Sequence, residues 1–159
     1  KIKGISAVNI KKQSQIDELG FKILKELQAN ARSTFSDIGR KVGLSSPAVA
    51  ERVYKMEAAG IITGYHAHID PDLLGYNIRA FITLTTEARR YTDIFTFLES
   101  EDEVLECHHV SGNESLILKV AAPSIPRLDR LIEKLSRYGE TKSAIVLSSP
   151  VQKKVVEPL

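Results

Sequence analysis

Between Thr34 and Gly60 the chain carries helix start and stop signals in the order that two short helices joined by a tight turn require. Thr34 can cap the first helix by accepting the backbone N–H near Asp37, and Asp37 is placed to reach back. Phe35, Ile38 and Val42 then share one face at helical spacing. Gly43 suits a left-handed C-terminal position, because it has no Cβ. Ser45 caps the second helix, and Pro47 falls in its first turn, where a missing N–H does no harm. Val49, Val53 and Met56 form the buried stripe of that helix, and Gly60 ends it. Two capped helices around a turn at Gly43-Leu44 predict a helix-turn-helix, a motif that places its second helix in the major groove of duplex DNA.

On that reading Ser46, Ala48, Glu51, Arg52 and Lys55, with Pro47 beside them, meet bases and phosphates. Arg40, Lys41 and Lys55 supply salt-dependent backbone contacts. Ser45 and Thr34 are caps first and phosphate contacts second. The plainer alternative is two amphipathic helices whose charged faces are merely solvated, with Arg52 paired to Glu51 or Glu57.

Charge separates the chain into two parts. The net charge of the 159 residues is only +2, yet residues 1–64 hold 11 Lys and Arg against 6 Asp and Glu. Residues 65–159 hold 11 against 14. A basic first part before an acidic remainder fits a chain in which only the first part faces phosphates. With 43% apolar residues there is material for two small cores. The single Cys107 excludes an intrachain disulfide and suits a reducing compartment. No apolar run approaches the ~20 residues of a membrane span, and the first residues are too polar for a signal peptide. The expectation is a cytoplasmic protein with no membrane partner.

Residues 1–15 read as a basic arm. A helix should open at Asp17, with Ile16 and Phe21 as a hydrophobic staple and Leu19, Ile23, Leu24 and Leu27 facing inward. It completes a tri-helical domain over residues 16–64. The β-like run from Ile61 to Asp70 suggests a wing, and residues 65–77 a β-stranded linker. Residues 78–150 then alternate: a strand at 79–86, a helix at 91–100, strands at 104–111 and 116–121 around a turn at 112–115, a helix at 124–138 and a strand at 142–149. The order β-α-β-β-α-β is the split βαβ, or ferredoxin-like, arrangement. Both helices then cover one face of a four-stranded antiparallel sheet, and the bare face argues for a homodimer. Residues 151–159 form a tail. The fold class is α+β: a winged helix-turn-helix followed by a ferredoxin-like domain.

The ordered set Ile16-Asp17, Ile23-Leu24, Ala31-Arg32, Gly43-Leu44-Ser45, Glu51-Arg52-Val53, Met56-Glu57 and Gly60-Ile61-Ile62 resembles the Lrp/AsnC ("feast or famine") transcriptional regulators. In the second part Val104-Leu105-Glu106-Cys107 and Val110-Ser111-Gly112-Asn113 extend the resemblance, which covers residues 16–150. It implies sequence-specific binding of pseudo-palindromic DNA by a homodimer that assembles to an octamer. It also implies an amino acid or similar metabolite bound near the turn after the second strand. The residues this places there are Val110, Gly112, Asn113, Glu114 and Ser115, with His108 and Ala144 on neighbouring strands. Two positions depart from the family: Gly20 stands where an Asp is usual, and Ser115 where an acidic residue is usual. Ser115 cannot pair with an ammonium group, which leaves Glu114 as the nearest carboxylate.

Other chemistry is thin. His66, His68, Cys107 and His109 are zinc- or copper-type ligands, but nothing in their spacing makes them converge, so no metal and no cofactor is expected. No phosphate loop, nucleophile elbow or carboxylate pair is evident, and no enzyme is expected. The alternative is a haem-pathway (sirohaem-type) decarboxylase of the same two-domain architecture, which would recruit His66, His68, His108 and His109.

Overall fold

A computed structural model describes residues 16–151 and 154–156. The expected basic arm at 1–15 and part of the tail lie outside the described residues. The described residues divide into two compact units, one of residues 16–67 with 151 and 154–156, the other His68–Pro150. The described part of the tail therefore groups with the first unit rather than with the domain it follows in sequence.

The first unit is built on three helices, α1 (Glu18–Ala29), α2 (Phe35–Val42) and α3 (Ser46–Ala58). Ile23 and Leu27, Ile38, and Val49, Val53 and Met56 close one apolar cluster between them. Each such side chain contributes roughly 1.5–3 kcal/mol by leaving water. Asp17 caps α1 by accepting the Gly20 N–H at 2.8 Å. Gly20 is buried, and a Cβ there would lie 2.6 Å from Ile16 Cγ2. The missing capping-box side chain thus leaves room for Ile16 to fold over the start of the helix.

No strand forms between Gly60 and Ile78, so the expected wing and β-stranded linker are absent from the single chain. Among the described residues the β-like pattern at 61–70 finds no edge to pair with, and an unpaired strand is not a stable element. Asp72–Leu74 instead form a short 3₁₀ turn closed by Gly75, at φ 88°.

The second unit is a sheet of β1 (Ile78–Thr85), β2 (Val104–His109), β3 (Leu116–Ala122) and β4 (Glu140–Ile145), in the order β2-β3-β1-β4. All three pairings are antiparallel, with Ile82 opposite both Leu118 and Ser143. Helices α4 (Tyr91–Glu99) and α5 (Ile125–Ser136) cover one face. There Ala80, Ile82, Leu84, Leu116, Leu118 and Val120 meet Ile94, Leu98, Leu128, Leu131 and Leu135. This is the split βαβ order expected from the sequence. The strand ends differ: β2 stops at His109 and β4 at Ile145, earlier than their β-branched runs suggest. A register shift between Val104 and Glu106 breaks the β2–β3 ladder. Glu103, only 5% exposed, is paired with Arg127 of α5, whose Nε donates to it at 2.8 Å.

Candidate nucleic-acid interface

The turn between α2 and α3 depends on local chemistry that fixes where α3 points. Thr34 Oγ1 accepts the Asp37 N–H at 3.1 Å and donates to Asp37 Oδ2 at 2.6 Å, so both partners of the cap are engaged. Gly43 ends α2 at φ 76°. Leu44 N–H then donates to Gly39 O at 2.9 Å, and a Cβ on Gly39 would lie 2.5 Å from Leu44 O. Gly39 is therefore required by the close approach of the turn, a role the sequence does not show because the constraint comes from Leu44, five residues on. Ser45 Oγ accepts the Ala48 N–H at 3.4 Å and opens α3.

Val49, Val53 and Met56 face the core. Ser46, Pro47, Glu51, Tyr54 and Lys55 are exposed, whereas Ala48 and Arg52 are half-buried. Tyr54 is 71% exposed and lies three residues after Glu51 and seven after Pro47, which sets all three on one face. Sequence reasoning passed over Tyr54, although its place off the Val49-Val53-Met56 stripe was the signal.

The charged side chains are mostly paired in the unbound chain. Lys55 Nζ donates to Glu51 Oε1 at 2.6 Å, and this bond holds the Glu51 carboxyl below its ordinary range. Arg40 pairs with Asp37, and Lys41 with Glu26 of α1. Hydrogen bonds from Thr34 and then Arg40 lower Asp37. Arg52 Nη1 reaches both Asp17 oxygens, at 2.6 and 2.8 Å, rather than Glu51 or Glu57. That bond, followed by the Gly20 N–H, lowers the Asp17 pKa. The ion-pair reading of Arg52 is the one the geometry shows, with a partner the sequence reading did not name.

The turn expected to hold an effector runs from Val110 to Ser115, and Val110 N–H donates to Ser115 O at 3.1 Å. Gly112 sits at φ 133°, a backbone region that favours glycine. Ser111, Gly112 and Asn113 are exposed and Glu114 is half-buried. Ser115 is a strut: its hydroxyl donates to Thr86 O at 2.9 Å and accepts the Thr86 N–H at 3.0 Å. His108 pairs in register with Ile117 on one edge strand, and Ala144 with Phe81 on the other. Three strand spacings, about 14 Å, separate those edges, so one chain does not bring His108 and Ala144 to a common small pocket.

His108 lies beside Glu106 at 3.3 Å, whose carboxyl is lowered first by Lys119. Cys107 packs under the helices, where burial pushes its thiol up, and His109 meets the Tyr91 ring edge-on at 4.8 Å. Among the described residues no three His, Cys, Asp or Glu side chains are grouped to hold a metal ion. No helix among them is long and apolar enough to cross a membrane.

A helix-turn-helix unit followed by a split βαβ domain is the architecture of a two-domain DNA-binding regulator. Residues 16–57 match the profile of the AsnC-type helix-turn-helix domain, and residues 79–156 that of the Lrp/AsnC ligand binding domain. The regulatory protein AsnC of Escherichia coli K12 is 36% identical over 145 residues, covering 88% of this chain and 95% of its own length. The HTH-type transcriptional regulator LrpB of Bacillus subtilis is 36% identical over 125 residues, covering 79% and 84%. The solved structure of E. coli AsnC superposes with a TM-score of 0.79 at 33% identity, covering 88% of this chain and 97% of that one. The chain belongs to the Lrp/AsnC family of DNA-binding transcriptional regulators. The decarboxylase alternative finds no support among these relatives, which are named as regulators.

Proposed function

We propose that the chain acts as a homodimer, assembling further to an octamer, that binds pseudo-palindromic duplex DNA through the outer face of α3. The observation that carries this is the division of α3 itself. Val49, Val53 and Met56 are buried, while Pro47, Glu51, Tyr54 and Lys55 are presented together to solvent. A Glu carboxylate reads the cytosine amino group, and apolar atoms of Pro47 and Tyr54 suit thymine methyls. Lys55 offsets the Glu51 charge as phosphates approach. Arg40, Lys41 and Ser46 flank that surface as backbone contacts, with Thr34 and Ser45 serving mainly as caps. Arg52 acts by holding α3 against α1.

The second unit takes an amino acid or related small metabolite at the turn 110–115, through Val110, Gly112, Asn113 and Glu114. A ligand-binding-domain match over residues 79–156 supports this reading. Ser115 shapes the turn rather than touching the ligand, because its proton is given to Thr86 O. Because His108 and Ala144 stand at opposite edges of one sheet, a ligand that meets both needs a second copy of the chain. The bare sheet face supports dimerisation: Phe81, central in it, is 46% exposed. The protein works as a regulator and not as an enzyme, in the compartment that holds its DNA.

The test is native mass measurement combined with DNA-shift assays, with and without each of the common amino acids. A dimer-based assembly that shifts duplex DNA, with its affinity or assembly altered by one amino acid, is expected. A monomer that shifts DNA equally well, or no response to any amino acid, would overturn the assembly or effector part respectively.

A further inference from the structure

The first unit carries an open groove of about 800 Å³ that the DNA-reading role does not use. Its walls are the α1 side chains Phe21, Leu24 and Leu27 and the segment after α3, including Ile61, Ile62 and Tyr65. Tyr65 is fixed there by donating its hydroxyl to Glu57 Oε1 at 2.9 Å. Burial, then that carboxylate, raises the phenol to about 12, so it stays a neutral donor. Two residues from far along the sequence also line the groove, Val155 and Val156.

The contact between Gln28 and Val156 has a specific form. Gln28 Nε2 donates to Val156 O at 3.1 Å, and Val156 N–H donates to Gln28 Oε1 at 2.9 Å. A primary amide has one donor group and one acceptor side by side, and here it matches both backbone groups of a single residue. This is what a neighbouring strand offers, and it selects an extended peptide, a conformation that adjacent valines favour. Val155, 38% exposed, is the partly covered side chain, whereas Val156 at 79% gives mainly its backbone.

We propose that α1 carries a peptide-docking site along one wall of this groove, taken in this structure by the aliphatic segment at Val155-Val156 of the same chain and clipped by Gln28. The incomplete cover of both valines makes the docking releasable. The segment closes the apolar side of α1 when seated and leaves it open when displaced. A short extended peptide with β-branched residues is the class of ligand that competes for it.

Native lysines provide the test, since Lys22 and Lys25 line the groove and Lys154 precedes Val155. Chains of natural and heavy-isotope composition are mixed, allowed to exchange, and treated with a short amine-reactive cross-linker. Cross-links from Lys154 to Lys22 or Lys25 are expected, with both ends from the same chain. Their yield should fall about fivefold or more in Gln28→Ala, which loses both hydrogen bonds. A free peptide of residues 150–159 should lower the yield, and the same peptide with Val155→Asp and Val156→Asp should not. Absence of the cross-link, or an unchanged yield in Gln28→Ala, overturns the proposal. Cross-links of mixed isotope composition would overturn the same-chain assignment and make a second copy the occupant.

Discussion

Arg52, on the second helix of the helix-turn-helix, gives its Nη1 to Asp17, the N-cap of α1, at 2.6 and 2.8 Å. One carboxylate thereby closes the start of α1 through the Gly20 N–H and ties α3 to it. Glu51 and Glu57 stand nearer in sequence, but the link across 35 residues is the one formed. On the proposed function, Arg52 acts on DNA affinity by holding α3 in place. Arg52→Met should weaken binding about 3–10-fold, with the dependence of log affinity on log salt unchanged. Loss of a direct phosphate contact would instead reduce that slope by about 1. A salt titration of the two proteins distinguishes these outcomes.

The same pair sets a pH dependence. Asp17 titrates below its ordinary 3.8, chiefly because of Arg52. A carboxylate with a lowered native pKa contributes its stability in full above the unfolded value and loses it as pH falls through the native one. The stability gap between parent and Arg52→Met should be constant above about pH 5 and close progressively below about pH 4. Denaturant melts across that range check the sign. A gap that widens on acidification would contradict it.

Tyr54 and Glu51 are expected to carry affinity without carrying the fold, since both are exposed on α3. Tyr54→Ala should leave the unit's stability within about 0.5 kcal/mol. It should also lower affinity for a selected site roughly 5–50-fold, the range of one lost specific contact. Circular-dichroism melts and quantitative DNA shifts on the same samples measure the two effects separately.

Gly39→Ala should behave in the opposite way. The added methyl would meet Leu44 O at 2.5 Å, a backbone atom that cannot swing aside. A loss of about 1–3 kcal/mol from the helix-turn-helix unit is expected, the usual range for overpacking. DNA binding should fall with it, while hydrogen exchange in β1 and β3 of the second unit stays as in the parent.

In the second unit, Glu103 and Arg127 predict an asymmetry. Arg127→Ala leaves a 5% exposed carboxylate without its cation, whereas Glu103→Gln leaves a half-exposed Arg that water can reach. The first change should cost about 2–4 kcal/mol and the second about 1–2, because an uncompensated buried charge outweighs a lost hydrogen bond. Urea unfolding of both variants tests the order.

Much of this fold was legible because its signals are local. Asp17, Thr34, Gly43 and Ser45 cap as their chemistry demands, and the two apolar periods mark the α-helices and strands of the described residues within a few positions. What escaped depends on partners remote in sequence. Ile61 to Asp70 has the alternation of a strand, yet nothing among the described residues offers it an edge. The bracing of the turn by Ser115 is hidden because its partner, Thr86, lies 29 residues away. Gly39 was invisible because its constraint is the later approach of Leu44. Tyr54 was readable from the helix period, but attention to charge passed over it.

Selection from a random duplex pool tests the central claim most directly, comparing the parent with Glu51→Ala and Tyr54→Ala. The account predicts that the parent enriches a two-fold symmetric site, with half-sites one or more helical turns of ~34 Å apart. Each variant should relax the preference at the same position in both half-sites. An identical consensus and affinity for all three proteins would contradict the assignment of the outer face of α3 as the surface that reads DNA.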